Sequence, residues 1–145
     1  MDTVIIRKAN GDDVASITTL IPQLGYTVPE SDISHRLAEI LRRADHAVYV
    51  AAMPENGVVG WVHLYIDYSL MDDPLVMIGG IVVDTAQRGK GIGRKLMEQA
   101  EIWGHAQGCA AVYLKSNVIR REAHAFYESL GYRNVKTQYA YRKAL

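Results

Sequence analysis

The strongest constraint on the fold is the stretch 81–95. Ile81-Val82-Val83 runs through a polar turn into Arg88-Gly89-Lys90-Gly91-Ile92-Gly93-Arg94-Lys95. The β-branched run reads as a strand, and the periodic residues after it read as a helix. Glycines at the junction let the backbone turn where side chains would collide, and they leave amide N–H groups bare. At the start of a helix such amides lack internal acceptors and carry the positive end of the macrodipole. Arg88, Lys90, Arg94 and Lys95 add positive charge with no acid among them. The junction reads as an anion cradle, most often one for phosphate.

Two nucleotide patterns fail here. A Walker loop needs Gly, four residues, then Gly-Lys-Ser/Thr, and no glycine in the stretch is followed that way. The dinucleotide fingerprint Gly-x-Gly-x-x-Gly ends on Arg94 when started at Gly89, and on Leu96 when started at Gly91. What remains is Arg88-x-x-Gly91-x-Gly93 behind a hydrophobic strand. Taken alone, it is also compatible with a plain glycine-rich turn carrying solvated charges.

The chain of 145 residues has room for one domain with a real core. Sixteen basic residues balance sixteen acidic ones, which argues against a general nucleic-acid binder. The cluster from Arg88 to Lys95 is therefore local, and suits a small anionic ligand. The single Cys109 excludes an intrachain disulfide and a cysteine-based metal cluster, and no metal is expected. No run approaches membrane-spanning length, and Asp2, Arg7, Lys8 and Asp12 interrupt any signal-peptide pattern. A cytoplasmic location is the expectation, with no membrane partner.

In chain order, Thr3 to Ala9 reads as a strand and Asp12 as a helix cap. Val14, Ile17 and Ile21 form a helical stripe closed by Pro22 and Gly25. Ser31 or Asp32 is expected to cap a second helix carrying Ile33, Leu37, Ile40 and Leu41. The period then changes to that of strands at His46 to Ala52, Val58 to Tyr68 and Leu75 to Asp84, with Asn56-Gly57 as a hairpin signal. Ile92, Leu96, Ala100 and Trp103 mark a helix ended by Gly108. Ala110 to Ser116 reads as a strand and Glu122 to Leu130 as a helix. Asn134 to Arg142 alternates as a last strand, with Val135, Thr137, Tyr139 and Tyr141 on one face. The order β-α-α-β-β-β-α-β-α-β specifies a single α/β (α+β) domain over residues 1–145. Its central sheet is mixed, mostly antiparallel, with helices on both faces.

That order, with Val83 to Gly93 and then Asn117 and Glu122-Ala123-His124-Ala125-Phe126-Tyr127-Glu128-Ser129-Leu130-Gly131-Tyr132, resembles the GNAT acetyltransferase superfamily along essentially the full length. Thr85 stands where the family often has proline. The resemblance implies an enzyme that moves an acetyl group from acetyl-CoA to a primary amine, on a small molecule or an exposed protein amino group. It implies that Ile81, Val82 and Val83 pair with the pantetheine arm. The amides of Arg88, Gly89, Lys90, Gly91, Ile92, Gly93 and Arg94 would hold the pyrophosphate, and Asn117 would touch the cofactor. Tyr127 matches the tyrosine that protonates the departing sulfur; by spacing alone it is a core aromatic of its helix.

The base is not specified by the resemblance. Many relatives carry a carboxylate on the strand before the loop, where this chain has Gly79 and Gly80; those glycines would admit substrate or backbone close to the thioester. His63 is the candidate base, because neutral imidazole accepts a proton near pH 7; Glu30, Asp67 or a linked water are alternatives. Asp67, Asp72 and Asp73 either draw a cationic amine or form a solvated turn. The family's acceptor sites imply a partly aromatic pocket from Leu24, Tyr26, Trp61, Tyr65, Tyr68, Tyr139 and Tyr141, residues that could equally fill a core or a contact between copies. A homodimer is left open. The rival to the enzyme is a non-catalytic acyl-CoA sensor, which would keep the loop without the transfer chemistry.

Overall fold

The computed structural model describes residues 3–145. It divides into two compact units, one ending at Leu114 and one beginning at Lys115. The first unit holds β1 (Ile5–Lys8), α1 (Val14–Leu20), α2 (Glu30–Leu41), β2 (His46–Met53), β3 (Gly57–Asp67), β4 (Leu75–Val83), α3 (Ile92–Ala106) and β5 (Ala111–Tyr113). The strands form one sheet in the order β1-β2-β3-β4-β5, antiparallel except for the parallel β4–β5 pair. Gly57, at φ +68°, closes the β2–β3 hairpin in the left-handed conformation that Asn-Gly turns favour.

Strand alternation divides the core between the two sheet faces. Val48, Val50, Trp61 and Val82 pack against Ile17 and Leu20 of α1, Ile21, and Leu37 of α2. Ala47, Tyr49, Ala51, Val62, Leu64 and Val76 pack against Ile92, Leu96, Ala100 and Trp103 of α3. Leu64, Ile92 and Leu96 are fully buried, each contributing about 1.5–3 kcal/mol of transfer free energy. Among the described residues no helix is long and apolar enough to cross a membrane.

Two caps differ from expectation. The Asn10 side chain, not Asp12, accepts a backbone N–H (from Asp12, 2.8 Å), and the Asp13 carboxylate reaches back to the Asn10 N–H at 2.9 Å. Asp13 also receives both Arg7 guanidinium nitrogens at 2.8 Å, which ties the end of β1 to the first turn. Helix α2 begins at Glu30 behind Pro29 without a side-chain cap, so neither Ser31 nor Asp32 has that role. Proline fixes its own φ near the helical value, which makes such an entry inexpensive.

The second unit contains α4 (Arg121–Ser129), ended by Gly131 at φ +92°, with Tyr132 N–H donating to Tyr127 O at 3.1 Å. The expected last strand is a correction: Asn134 to Arg142 has no regular secondary structure, and β5 spans three residues rather than Ala110 to Ser116. Alternation encodes a two-faced extended backbone, but a strand exists only where a neighbour supplies the ladder.

Candidate functional site

In the first unit the site is built from one edge of β4 and the loop that follows it. Strand β3 pairs with β4 along its whole length, whereas β5 pairs only with Leu75, Val76 and Met77. From Ile78 to Val83 the β4 backbone on its β5 side therefore has no ladder partner among the described residues. Open backbone of this kind accepts an extended ligand carrying amide groups, as an added strand would. The β3–β4 register shifts between His63 and Leu64, which pair with Gly80 and Ile78, leaving Gly79 as a bulge.

Asp84 to Gln87 then folds into a short 3-10 turn, in which the Asp84 carboxylate accepts the Ala86 N–H at 3.1 Å. Gln23, from the turn after α1, clamps it: Gln23 Oε1 accepts the Thr85 N–H at 3.0 Å and Gln23 Nε2 donates to Asp84 at 3.3 Å. Gly89 and Gly91 follow at φ +80° and +77°, a conformation that a Cβ disfavours. Helix α3 starts without a side-chain cap, and the Lys95 N–H bonds to Gly91 O at 3.1 Å. The amides of Ile92, Gly93 and Arg94 precede that bond and have no acceptor inside the helix. Arg88 Nε donates to Val83 O at 3.4 Å, and Lys90 Nζ donates to Gln87 Oε1 at 2.8 Å. Two left-handed glycines, the uncapped start of α3 and the side chains of Arg88 and Lys90 thus follow directly on the end of β4.

Opposite the bulge, on the face of β3 that also carries Trp61, lies a cluster missed by sequence reasoning. His46 Nδ1 and His63 Nε2 are 3.0 Å apart, and both rings lie against Tyr65. A Cβ added at Gly79 would lie 2.6 Å from His63 Nδ1, and one at Gly80 3.1 Å from the Trp61 ring. The two glycines thus make room for β3 rings, a role different from the admission of substrate expected above. Burial first, and the neighbouring His46 second, push the His63 pKa down to about 4, so its ring is neutral at pH 7. The alternative bases Glu30 and Asp67, and the loop acids Asp72 and Asp73, are exposed. The signal that bears on His46 is the Asn56-Gly57 hairpin, which sets β2 antiparallel to β3; in the register observed His46 pairs with Tyr65, two residues along β3 from His63.

Of the expected aromatic pocket, Trp61 belongs to the core, and its buried Nε1–H has no acceptor among the described residues. Tyr26, Tyr68, Tyr139 and Tyr141 are exposed. In the second unit Asn117 closes a turn, its Oδ1 accepting the Ile119 N–H at 3.1 Å and its carbonyl meeting His124 Nε2 at 2.8 Å. Tyr127 packs edge-on against Phe126 and Tyr132, with ring centroids 5.2 and 6.3 Å away. Burial raises the Tyr127 pKa above its usual value and Arg120 offsets part of that rise, so the phenol is protonated at neutral pH. Among the described residues no group of His, Cys, Asp and Glu is arranged to hold a metal.

Residues 14–132 match the model of the Acetyltransferase (GNAT) family. The aminoalkylphosphonate N-acetyltransferase of Salmonella typhimurium is 32% identical over 146 residues, covering 97% of this chain and 90% of its own. An aminoglycoside N(6')-acetyltransferase type 1 of Stenotrophomonas maltophilia is 25% identical over 144 residues, with 97% and 93% covered. Among solved structures, the aminoglycoside N-acetyltransferase AAC(6')-Iy in complex with CoA superposes with a TM-score of 0.88 at 23% identity, over 100% of this chain and 97% of that one. The chain belongs to the GNAT family, and it is an acetyl-CoA-dependent N-acetyltransferase.

Proposed function

We propose that the acceptor is a primary amine on a small polar molecule, acetylated by direct attack on the thioester. The observation that carries the donor half is the unpaired β4 edge from Ile78 to Val83 running into the uncapped start of α3. An acyl-CoA presents amide groups along its arm and a pyrophosphate at its end, which are the two chemistries that this surface accepts. The acceptor half draws support from the relatives, whose names specify aminoglycosides and aminoalkylphosphonates, both small amines.

A thioester is already activated, so placing the amine beside it does most of the work. An alkyl ammonium of pKa ~10.4 is neutral in only about one molecule in several thousand at pH 7, so the amine must shed a proton before attack. Once nitrogen bonds to the carbonyl carbon it carries two protons and a positive charge; one of the two is now far more acidic, a weak base suffices to take it, and the other stays in the amide. His63 fits that step. With its Nε2–H donated to His46 Nδ1, its Nδ1 lone pair is directed at the bulge. Backbone N–H groups around Val82 and Val83 stabilise the oxyanion. As the C–S bond breaks, the sulfur takes the Tyr127 phenol proton, and solvent carries the proton from His63 back to Tyr127. Amide and free CoA thiol are the products. Asn117 and the amides from Arg88 to Arg94 hold the donor.

The test follows thiol release from acetyl-CoA with aminoglycosides, aminoalkylphosphonates, polyamines and peptide N-termini. Turnover with a small amine and none with peptides supports the reading. Turnover confined to peptides moves the acceptor to protein amino groups. Tight CoA binding without turnover on any amine would contradict it.

A further inference from the structure

Two rings of β3 lie over the two glycines in the middle of β4, and their chemistries differ. A Cβ at Gly79 would meet His63 Nδ1, whereas one at Gly80 would meet only carbon, Cη2 and Cζ3 of Trp61, each at 3.1 Å. We propose that this far edge of the Trp61 ring is the end wall of the acyl pocket and excludes acyl chains longer than acetyl. The inference rests on the reading that the thioester lies along β4 between Gly79 and Val83.

Both members of the contact are poor choices for a strand pair that only has to fold. Glycine inside a strand loses more backbone freedom than any other residue and leaves nothing to pack. Trp61 is buried, and its Nε1–H has no acceptor among the described residues, a penalty that phenylalanine or leucine would avoid. What tryptophan adds is reach. Its benzo edge crosses from β3 to Gly80, inside the β4 stretch that lacks a ladder partner on its β5 side among the described residues. The ring cannot withdraw, because Val50, Val82, Ile17 and Leu20 belong to the same buried cluster. The order of the two rings also fits an acyl group. Trp61 and His63 are alternate residues of β3 and share a face. An amine that gives its proton to His63 places the acetyl methyl on the hydrocarbon side, at Trp61.

The test reads binding and needs no acceptor. Titration calorimetry on the full chain compares acetyl-CoA, propionyl-CoA and butyryl-CoA, with CoA itself as the internal reference. In an open apolar pocket each added methylene would tighten binding about 4-fold. Against a wall it weakens binding, so wild type is expected to hold butyryl-CoA about 10-fold less tightly than acetyl-CoA, or weaker still. Trp61→Leu is expected to bring butyryl-CoA level with acetyl-CoA or tighter. Trp61→Phe keeps an aromatic ring in the core, and is expected to admit propionyl-CoA. Wild-type affinity that stays level or tightens from acetyl to butyryl overturns the proposal, whether or not either variant folds. An unchanged order of affinities in a folded variant also overturns it. Absence of binding even to CoA would instead overturn the donor reading, and the proposal with it.

Discussion

His46 Nδ1 stands 3.0 Å from His63 Nε2, and the two rings meet edge to edge, with centroids 5.2 Å apart and planes at 18°. After burial, His46 is the second cause of the depressed His63 pKa. It also fixes which nitrogen of His63 is available at Gly79. Removing His46 relieves charge repulsion and opens the site to water, and both raise the His63 pKa. In His46→Ala, the His63 ring is therefore expected to titrate well above its wild-type value of about 4, toward 6.5. NMR of the ring protons measures this directly, and an unmoved titration would show that the pair is not coupled.

The same depressed pKa makes stability depend on pH. Between about 4 and 6.5 the unfolded chain binds a proton at His63 that the folded chain refuses, so stability falls as pH falls through that window. The expected loss is about 2 kcal/mol between pH 7 and 5, tending to about 3 near pH 4. Asp13 acts in a lower range. Its hydrogen bond from Arg7 depresses its pKa below 3.8, so its contribution is held above that value and lost as pH drops further. Urea unfolding at pH 7, 5 and 4 tests the first window, and His63→Gln should flatten it.

Gly79 shows where a missing side chain matters. With a Cβ 2.6 Å from His63 Nδ1, Gly79→Ala forces the ring or the bulge to shift. Overpacking of this kind costs about 1–3 kcal/mol. If His63 is the base, kcat should fall by about 10-fold or more, a general base contributing about 10²–10⁴, while KM for acetyl-CoA changes little. Equal losses in wild-type and His63→Gln backgrounds would place the effect outside His63.

The glycine loop, the meander and the three longest helices were legible because each follows from a local rule. Asn56-Gly57 dictates a hairpin turn, and the stripe Ile92, Leu96, Ala100, Trp103 can only face a core. The candidate site was legible in its glycine turn, where Gly89 and Gly91 take the left-handed backbone that glycine permits. It was obscure where it depends on register. Gly79 and Gly80 read as open space for substrate until the bulge showed them facing His63 and Trp61. Gln23 carried no motif, because its contacts with Asp84 and Thr85 span some sixty residues of sequence. Asn134 to Arg142 failed as a strand because pairing belongs to the neighbour, which no local pattern encodes.

Tyr127 offers a cleaner test of chemistry than of packing. Tyr127→Phe keeps the ring contacts with Phe126 and Tyr132 and removes only the hydroxyl. Loss of a positioned acid is expected to lower kcat about 10²-fold, with CoA affinity nearly unchanged. Unchanged turnover would remove Tyr127 from the mechanism and leave solvent to protonate the thiolate.

Gln23 tests the cradle without touching the cradle itself. Its amide holds the Thr85 N–H and the Asp84 carboxylate, and so sets the angle at which the chain leaves β4 for Gly89 and Gly91. Gln23→Ala breaks both bonds at an exposed position, so global stability should fall by no more than about 1 kcal/mol. The loop, freed of its clamp, must then be ordered by the donor at the donor's own expense. If the turn holds the donor as proposed, KM for acetyl-CoA should rise several-fold with kcat nearly constant. Gln23→Glu separates position from charge. It can still accept the Thr85 N–H, but it sets a carboxylate against Asp84, so its KM should exceed that of wild type. A KM for acetyl-CoA unchanged in both variants would show that the turn holds its shape without Gln23.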